Sequence, residues 1–408
     1  MLENLLKQKM MNINCAIACL LDDKENFFDK YDNLNLNCGT YIASPAVNAR
    51  LLAKSANINA ENTLITDYSG PLVRVSGGVP GNSAEYTGKY VLIEGDMVLS
   101  ADNAAVFAQA AGVVISGTLY YPDSCALSLS GAGSITGAKR AYPAGTCVII
   151  GNRTLEKLLT EVTENAARIW VAGEVDAWDA AALATARERD ILVFCDRLFT
   201  YENLVADAAD IVQATELVPV PDGHAVVNAI TLDEGTALLH GGRLFVRGSL
   251  MVEPRNAHCL KDFSSLIVRG RASLPVGSAA DFKAVGKADS YRLYEGVLHN
   301  ANGFEMFSHK RLQSMAARGE KMTVHVNGCA LFDTDVTADD MDAIASFSCN
   351  GVLLIGGEAH GALSARLGSV NGAILDRDAP EFAELSLMEL KDVISGSGNI
   401  NAEIYVME

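Results

Sequence analysis

The sequence predicts an α/β solenoid, a right-handed coil of strand–turn–short-helix repeats about 22 residues long that share a parallel sheet. Three observations predict it. A tripeptide ending in a small residue recurs, as in Ile93-Glu94-Gly95, Ile115-Ser116-Gly117, Val246-Arg247-Gly248 and Val268-Arg269-Gly270. The steps from Gly95 to Gly117, Gly173 to Cys195 and Gly248 to Gly270 are each 22 residues. Behind each tripeptide stands an alternating apolar pattern, and ahead of it a short stretch opened by Asn, Ser or Asp.

The strand comes first in each unit. Residues two and four before the small place are apolar, as in Leu34/Leu36, Val91/Ile93, Ile191/Val193 and Leu266/Val268. Period-two alternation puts them on one face of a sheet. The Gly, Ala or Cys of the tripeptide shares that face and leaves room for a close turn. Proline often follows, at Pro45, Pro122, Pro143, Pro254 and Pro275, where it would end strand pairing. A capped helical turn comes next, read at Asn48–Leu52, Asn103–Phe107, Asn256–Leu260 and Ser278–Phe282. A strand, a short helix and a return to strand within one repeat require parallel pairing and a right-handed crossover.

The same tripeptide runs from Ile13-Asn14-Cys15, Leu36-Asn37-Cys38 and Ile58-Asn59-Ala60 to Tyr294-Glu295-Gly296, Val326-Asn327-Gly328, Cys349-Asn350-Gly351 and Val370-Asn371-Gly372. Residues 1–375 therefore read as the repeat array, and 376–408 as a C-terminal cap of helix (Pro380 to Ile394), turn and strand (Ala402 to Val406). Two stretches break the period and read as insertions, one near 61–90, rich in Gly and Ser, and one near 297–321, with a helix from about Phe307 to Arg318. In period and in strand-plus-helix content the chain resembles the leucine-rich-repeat solenoids. That family places an Asn three residues after the second strand leucine, where this sequence has Gly39, Ser249 and Arg271. A right-handed parallel β-helix is the alternative cross-section.

Composition narrows the function. A net charge of −18 repels phosphate backbones and anionic lipid, so neither nucleic acid nor a membrane is an expected partner. No apolar run approaches the ~18 residues of a membrane span. Met1 to Asn14 carries Glu3, Lys7 and Lys9 and no signal-peptide core, so a cytoplasmic location is expected. Nine scattered cysteines without a CxxC pair read as thiols used as small core residues. Cys15 and Cys19 are four apart, and Cys15 falls opposite Cys38 in the repeat register, which leaves a metal or a disulfide there as the other reading.

No catalytic residue, metal ligand or cofactor is assigned. The segment Phe332-Asp333-Thr334-Asp335-Val336-Thr337 resembles the first motif of haloacid-dehalogenase phosphotransferases, which implies Asp333 as nucleophile and Asp335 as acid/base. Too little chain follows for that domain. The other readings put both aspartates in a loop, with Thr337 and Asp340 capping a helix, or make a weak divalent-ion site of Asp333, Asp335, Asp339, Asp340 and Asp342. The Gly-rich Ser130–Ser134 and Gly356–Gly361 match no phosphate loop, and the seven histidines have no ligand spacing. The helix bearing His309, Lys310, Arg311 and Arg318 reads as a solvated basic face or a contact for an acidic partner.

Outward positions carry the functional expectation. Asn stands beside the small place at both ends of the array, at Asn14, Asn37, Asn59, Asn327, Asn350 and Asn371. The middle turns instead place Trp170, Leu192, Phe194, Phe245 and Ile267 outward. An apolar stripe on a wet face marks a contact surface, unless the chain's own segments cover it. The expected function is a non-catalytic protein–protein interaction scaffold, binding a protein partner or self-associating through the stripe. The alternatives are an enzyme on a solenoid (carbohydrate-active or phosphotransferase-like) and a self-assembling structural protein.

Overall fold

The computed structural model describes residues 10–31, 33–125, 135–379 and 398–407. The repeats are real, but they do not form one continuous sheet. The strands gather into five separate sheets, each a short stack of parallel turns. The described residues fall into two compact units, one of 10–219 with 398–407 and the other of 220–379.

The first unit holds three sheets. Sheet 1 contains β1 (Met10–Leu20), β2 (Asn33–Ala43) and β3 (Asn57–Ile65); sheet 2 contains β4 (Leu72–Gly78), β5 (Tyr90–Val98), β6 (Gly112–Pro122) and β7 (Ile135–Tyr142). Sheet 3 is built of β8 (Cys147–Ile150), β9 (Arg153–Thr154), β10 (Arg168–Ala177), β11 (Leu192–Tyr201) and β12 (Val212–Val220). The second unit has two. Sheet 4 holds β13 (Ala225–Val227), β14 (Ile230–Leu232), β15 (Arg243–Val246), β16 (Leu250–Val252), β17 (Ser265–Pro275) and β18 (Gly286–Tyr294). Sheet 5 holds β19 (Val297–Phe307), β20 (Met322–Phe332), β21 (Ile344–Ile355) and β22 (Leu367–Asp376). The last strand, β23 (Gly398–Met407), returns to sheet 1 and pairs with β1, giving the order β23-β1-β2-β3.

Short helices close many of the turns. They include α1 (Pro45–Ala53), α2 (Leu155–Glu161), α3 (Ala180–Glu188), α4 (Val205–Ile211), α5 (Thr236–Leu239), α6 (Ala279–Val285), α7 (His309–Ala317) and α8 (Gly357–Ser364). Their starts follow capping chemistry. The side chains of Ser44, Thr154 and Ser308 accept hydrogen bonds from the backbone N–H of Val47, Lys157 and Arg311. Pro45 begins α1 instead of merely ending the strand, because its missing N–H is one the first helical turn would leave unsatisfied anyway.

Several of the tripeptides sit at a bend within their strand. Pairing register shifts there, between Ser76 and Gly78, Val114 and Thr118, Val171 and Glu174, and Val268 and Arg271. In sheet 5 the bend is a ladder of Gly303, Gly328, Gly351 and Gly372 in matched register. The last three have φ of +132°, +142° and +149°, and a Cβ on each would lie 2.1, 2.0 and 1.9 Å from the carbonyl oxygen of the glycine one turn earlier. Only glycine fits such a stack. Asn ladders run beside the bends: Asn35 Nδ2 donates to Asn12 Oδ1 (2.9 Å), Asn37 to Asn14 (3.0 Å), Asn14 to Asn401 (3.1 Å) and Asn327 to Asn302 (3.1 Å).

Repeat elements also run through the two stretches that break the period. Within 61–90, β4 is a regular strand with Val75-Ser76-Gly77 at its bend. Within 297–321, β19 and α7 make a full repeat whose bend is Asn302-Gly303, not Glu295-Gly296. In both places loops of unequal length shift the bend away from a fixed 22-residue step.

Each sheet packs one face under its own connecting helices or turns, giving five separate cores. Cys38 and Cys195 lie buried in those of sheets 1 and 3, at the small inward place. All nine cysteines are free thiols. In the first unit, two further apolar layers form between sheets. Ile17, Cys19, Ile42 and Ile404 of sheet 1 meet Tyr90, Leu92 and Val114 of sheet 2. Tyr120 and Tyr142 of sheet 2 meet Trp170 and Ala172 of sheet 3. These sheets are apolar on both faces because both faces are covered. Among the described residues, no helix is long and apolar enough to cross a membrane.

Candidate functional site

Four of the five stripe residues point away from the core of their own sheet. Trp170 and Phe194 are register partners on β10 and β11, while their chain neighbours Ile169, Val171, Val193 and Cys195 point into the core of sheet 3. Phe245 and Ile267 are partners on β15 and β17, between core residues of sheet 4. Trp170, Leu192 and Phe194 thus belong to one unit, and Phe245 and Ile267 to the other.

Trp170 is nevertheless only 6% exposed, because the chain covers it. Its indole stacks on Tyr142 (ring centroids 5.7 Å apart) and meets the edge of Tyr120 (5.6 Å). The guanidinium of Arg140 lies 4.7 Å from the ring centre, held in place by Asp196. Phe194 packs against the same cluster. Phe245 is 2% exposed, while Leu192 and Ile267 are half-buried. The Tyr142 hydroxyl donates to the Leu99 carbonyl (2.6 Å), so the cluster has no unsatisfied polar tip there.

The aspartate-rich loop after β20 is arranged differently from the phosphotransferase motif. Asp333 accepts from the N–H of Thr334 in its own turn. Asp335 accepts from the N–H of His309 at the start of α7. The organising group is Asp340, which is 5% exposed. One of its oxygens, Oδ2, accepts from the N–H (2.7 Å) and the hydroxyl (2.9 Å) of Thr337 and lies 2.8 Å from His309 Nδ1. The Thr337 bond is the returning half of a capping box. The Asp340 carboxylate raises the His309 pKa. Burial works to raise that of Asp340, but the Thr337 donors and the imidazole outweigh it and leave it below the ordinary carboxylate range. No spacing rule would have paired residues 31 positions apart.

The basic face of α7 is largely satisfied within the chain. Arg311 bonds Glu305, which also bonds His299, and Arg318 pairs with Glu320. A cleft of about 640 Å³ in the second unit is lined by Met251, Tyr294, Val297 and Leu298, with Glu253, Arg255, Glu320 and Lys321 among its charged residues. Arg255 pairs with Glu253, and Lys321 with Glu295. Among the described residues, no group of three or more His, Cys, Asp or Glu side chains is placed to hold a metal ion.

Among the described residues, the most exposed large apolar side chains are those of Leu238 (87%) and Leu239 (80%) on α5. Sequence reasoning passed over them because they look like ordinary residues of a helical turn. Nothing in their periodicity distinguishes them from core leucines. No protein-family model, no curated protein and no solved structure matches this chain.

Proposed function

We propose that the chain is a non-catalytic scaffold whose contact with a protein partner or a second copy is anchored by Leu238 and Leu239. The supporting observation is their exposure, 87% and 80%, beside modules whose other leucines are mostly sequestered. A single exposed leucine needs no explanation, but two adjacent ones on a four-residue helix leave apolar surface that a contact would remove from water. The leucine-rich-repeat-like cross-section and the cytoplasmic location are part of the same proposal. The first is supported by helices that close parallel turns, the second by the free thiols.

The test is the double change Leu238→Ser and Leu239→Ser. Both side chains are already in water, so circular dichroism and the melting midpoint should stay unchanged. Sedimentation and cross-linking mass spectrometry on the full chain should show association weakened roughly 10-fold or more. Association of equal strength in the folded double variant would overturn the proposal.

A further inference from the structure

We propose that Cys15 and Cys38 form a reversible redox pair whose disulfide staples the first two turns of sheet 1. The two cysteines are direct partners on the parallel strands β1 and β2, 23 residues apart in the chain. Adjacent strands stand ~4.8 Å apart, inside the ~4.4–6.8 Å range of Cα separations that disulfides span. Both side chains are on the same face, in the core of sheet 1. The backbones stay close just beyond them, where a Cβ on Gly39 would lie 3.1 Å from the Ala16 carbonyl oxygen. The neighbouring turns put Ala402 and Ala60 in the same row. A sulfhydryl is therefore not required to fill this place, and within this row cysteine stands only on the two central strands.

The pair also differs from the other buried thiols. Cys15 is partly exposed, whereas Cys19, Cys195 and Cys259 are closed off. Of the two, Cys38 is the one whose thiolate is favoured, against burial, by the Cys15 thiol opposite it. A low-molecular-weight disulfide is the oxidant. The thiolate attacks one of its sulfurs, forming a mixed disulfide and releasing one small thiol. The second cysteine, losing its proton, then attacks the protein-bound sulfur and releases the other. Two protein thiols have lost two electrons and two protons, and one small disulfide has become two thiols.

The experiment treats the native full-length chain with oxidised glutathione, blocks the remaining thiols, and maps peptides without reduction. The expected result is a linked peptide pair containing Cys15 and Cys38, together with a rise of roughly 5–10 °C in the melting midpoint of that unit, reversed by dithiothreitol. The variants Cys15→Ala and Cys38→Ala should fold, since Ala occupies the row on either side, and should lose the rise. Two results would overturn the proposal: both cysteines still alkylated after oxidation, or both carrying glutathione with no cross-link. A rise that persists in either variant would assign the effect to another thiol and overturn it equally.

Discussion

His309 stands at the first position of α7, and its ring reaches across to a carboxylate on the segment leading into β21. The pair ties two turns of one module together with a bond whose strength depends on pH. Asp340 holds the His309 pKa above its usual value, so the imidazolium bond contributes fully below about pH 6.5 and is lost as pH rises through the raised value. The depressed Asp340 pKa acts at the other end. Its contribution is present above about pH 4 and is lost as pH falls through the lowered value. Stability of the second unit should therefore decline as pH rises above about 6.5. His309→Gln should flatten that slope, because the amide keeps a hydrogen bond but cannot titrate. Denaturant melts across this range, with the imidazole proton shift followed by NMR, check it. A slope that persists in His309→Gln would place the titrating group elsewhere. His309 is half-exposed, so the effect should weaken in high salt.

At the scale of the element, the repeat unit was legible and the arrangement of the units was not. Alternation identified the inward residues of β5, β10, β11, β15 and β17, because a strand with one face in a core must keep period two. It could not show what the other face meets. Trp170 looked like a contact residue because it points away from its own core, yet it is the centre of the layer between sheets 2 and 3. The signal that could have found this lay one bend further along the chain. Sheet 1 carries Ile17, Cys19 and Ile42 outward after its bends, and sheet 2 carries Tyr120, so these strands are apolar on both faces. The paired His309 and Asp340 were illegible for another reason, since contacts between loops leave no periodicity. If Trp170 belongs to this layer, Trp170→Ala should destabilise the first unit by ~3–5 kcal/mol and free Arg140 from its stacking position. Trp170→Phe should cost much less, because an aromatic ring can still meet Tyr142. Urea melts of the two variants separate this from a binding role, in which neither change would move the midpoint.

On the scale of the whole chain, the final strand is spent closing the first sheet. Residues 398–407 carry the same repeat grammar as β1 to β3. Ile400-Asn401-Ala402 lies in register with Ile13-Asn14-Cys15, and Asn401 accepts from Asn14. On its outer face Ile404, 4% exposed, joins the layer between sheets 1 and 2. The strand therefore does two jobs at once: it pairs the edge of β1 and completes an inter-sheet core. Without it β1 would present a row of free N–H and C=O groups beside an apolar face, the combination that templates aggregation. A chain ending before Gly398 should accordingly lose stability in its first unit and form higher-order species at micromolar concentration, while residues 220–379 keep their own melting transition. Adding a synthetic peptide of residues 398–407 in excess should restore the monodisperse form, because the missing element is a strand that binds by register and needs no covalent link. In the same peptide, Asn401→Asp would place a carboxylate on the ladder beside Asn14, and Ile404→Asp would put one into the inter-sheet layer. The second change should abolish rescue and the first only weaken it, since the ladder is exposed and Ile404 is not. Light scattering on the truncated chain with each peptide distinguishes the outcomes. Full rescue by the Ile404→Asp peptide would show that the strand contributes edge pairing alone.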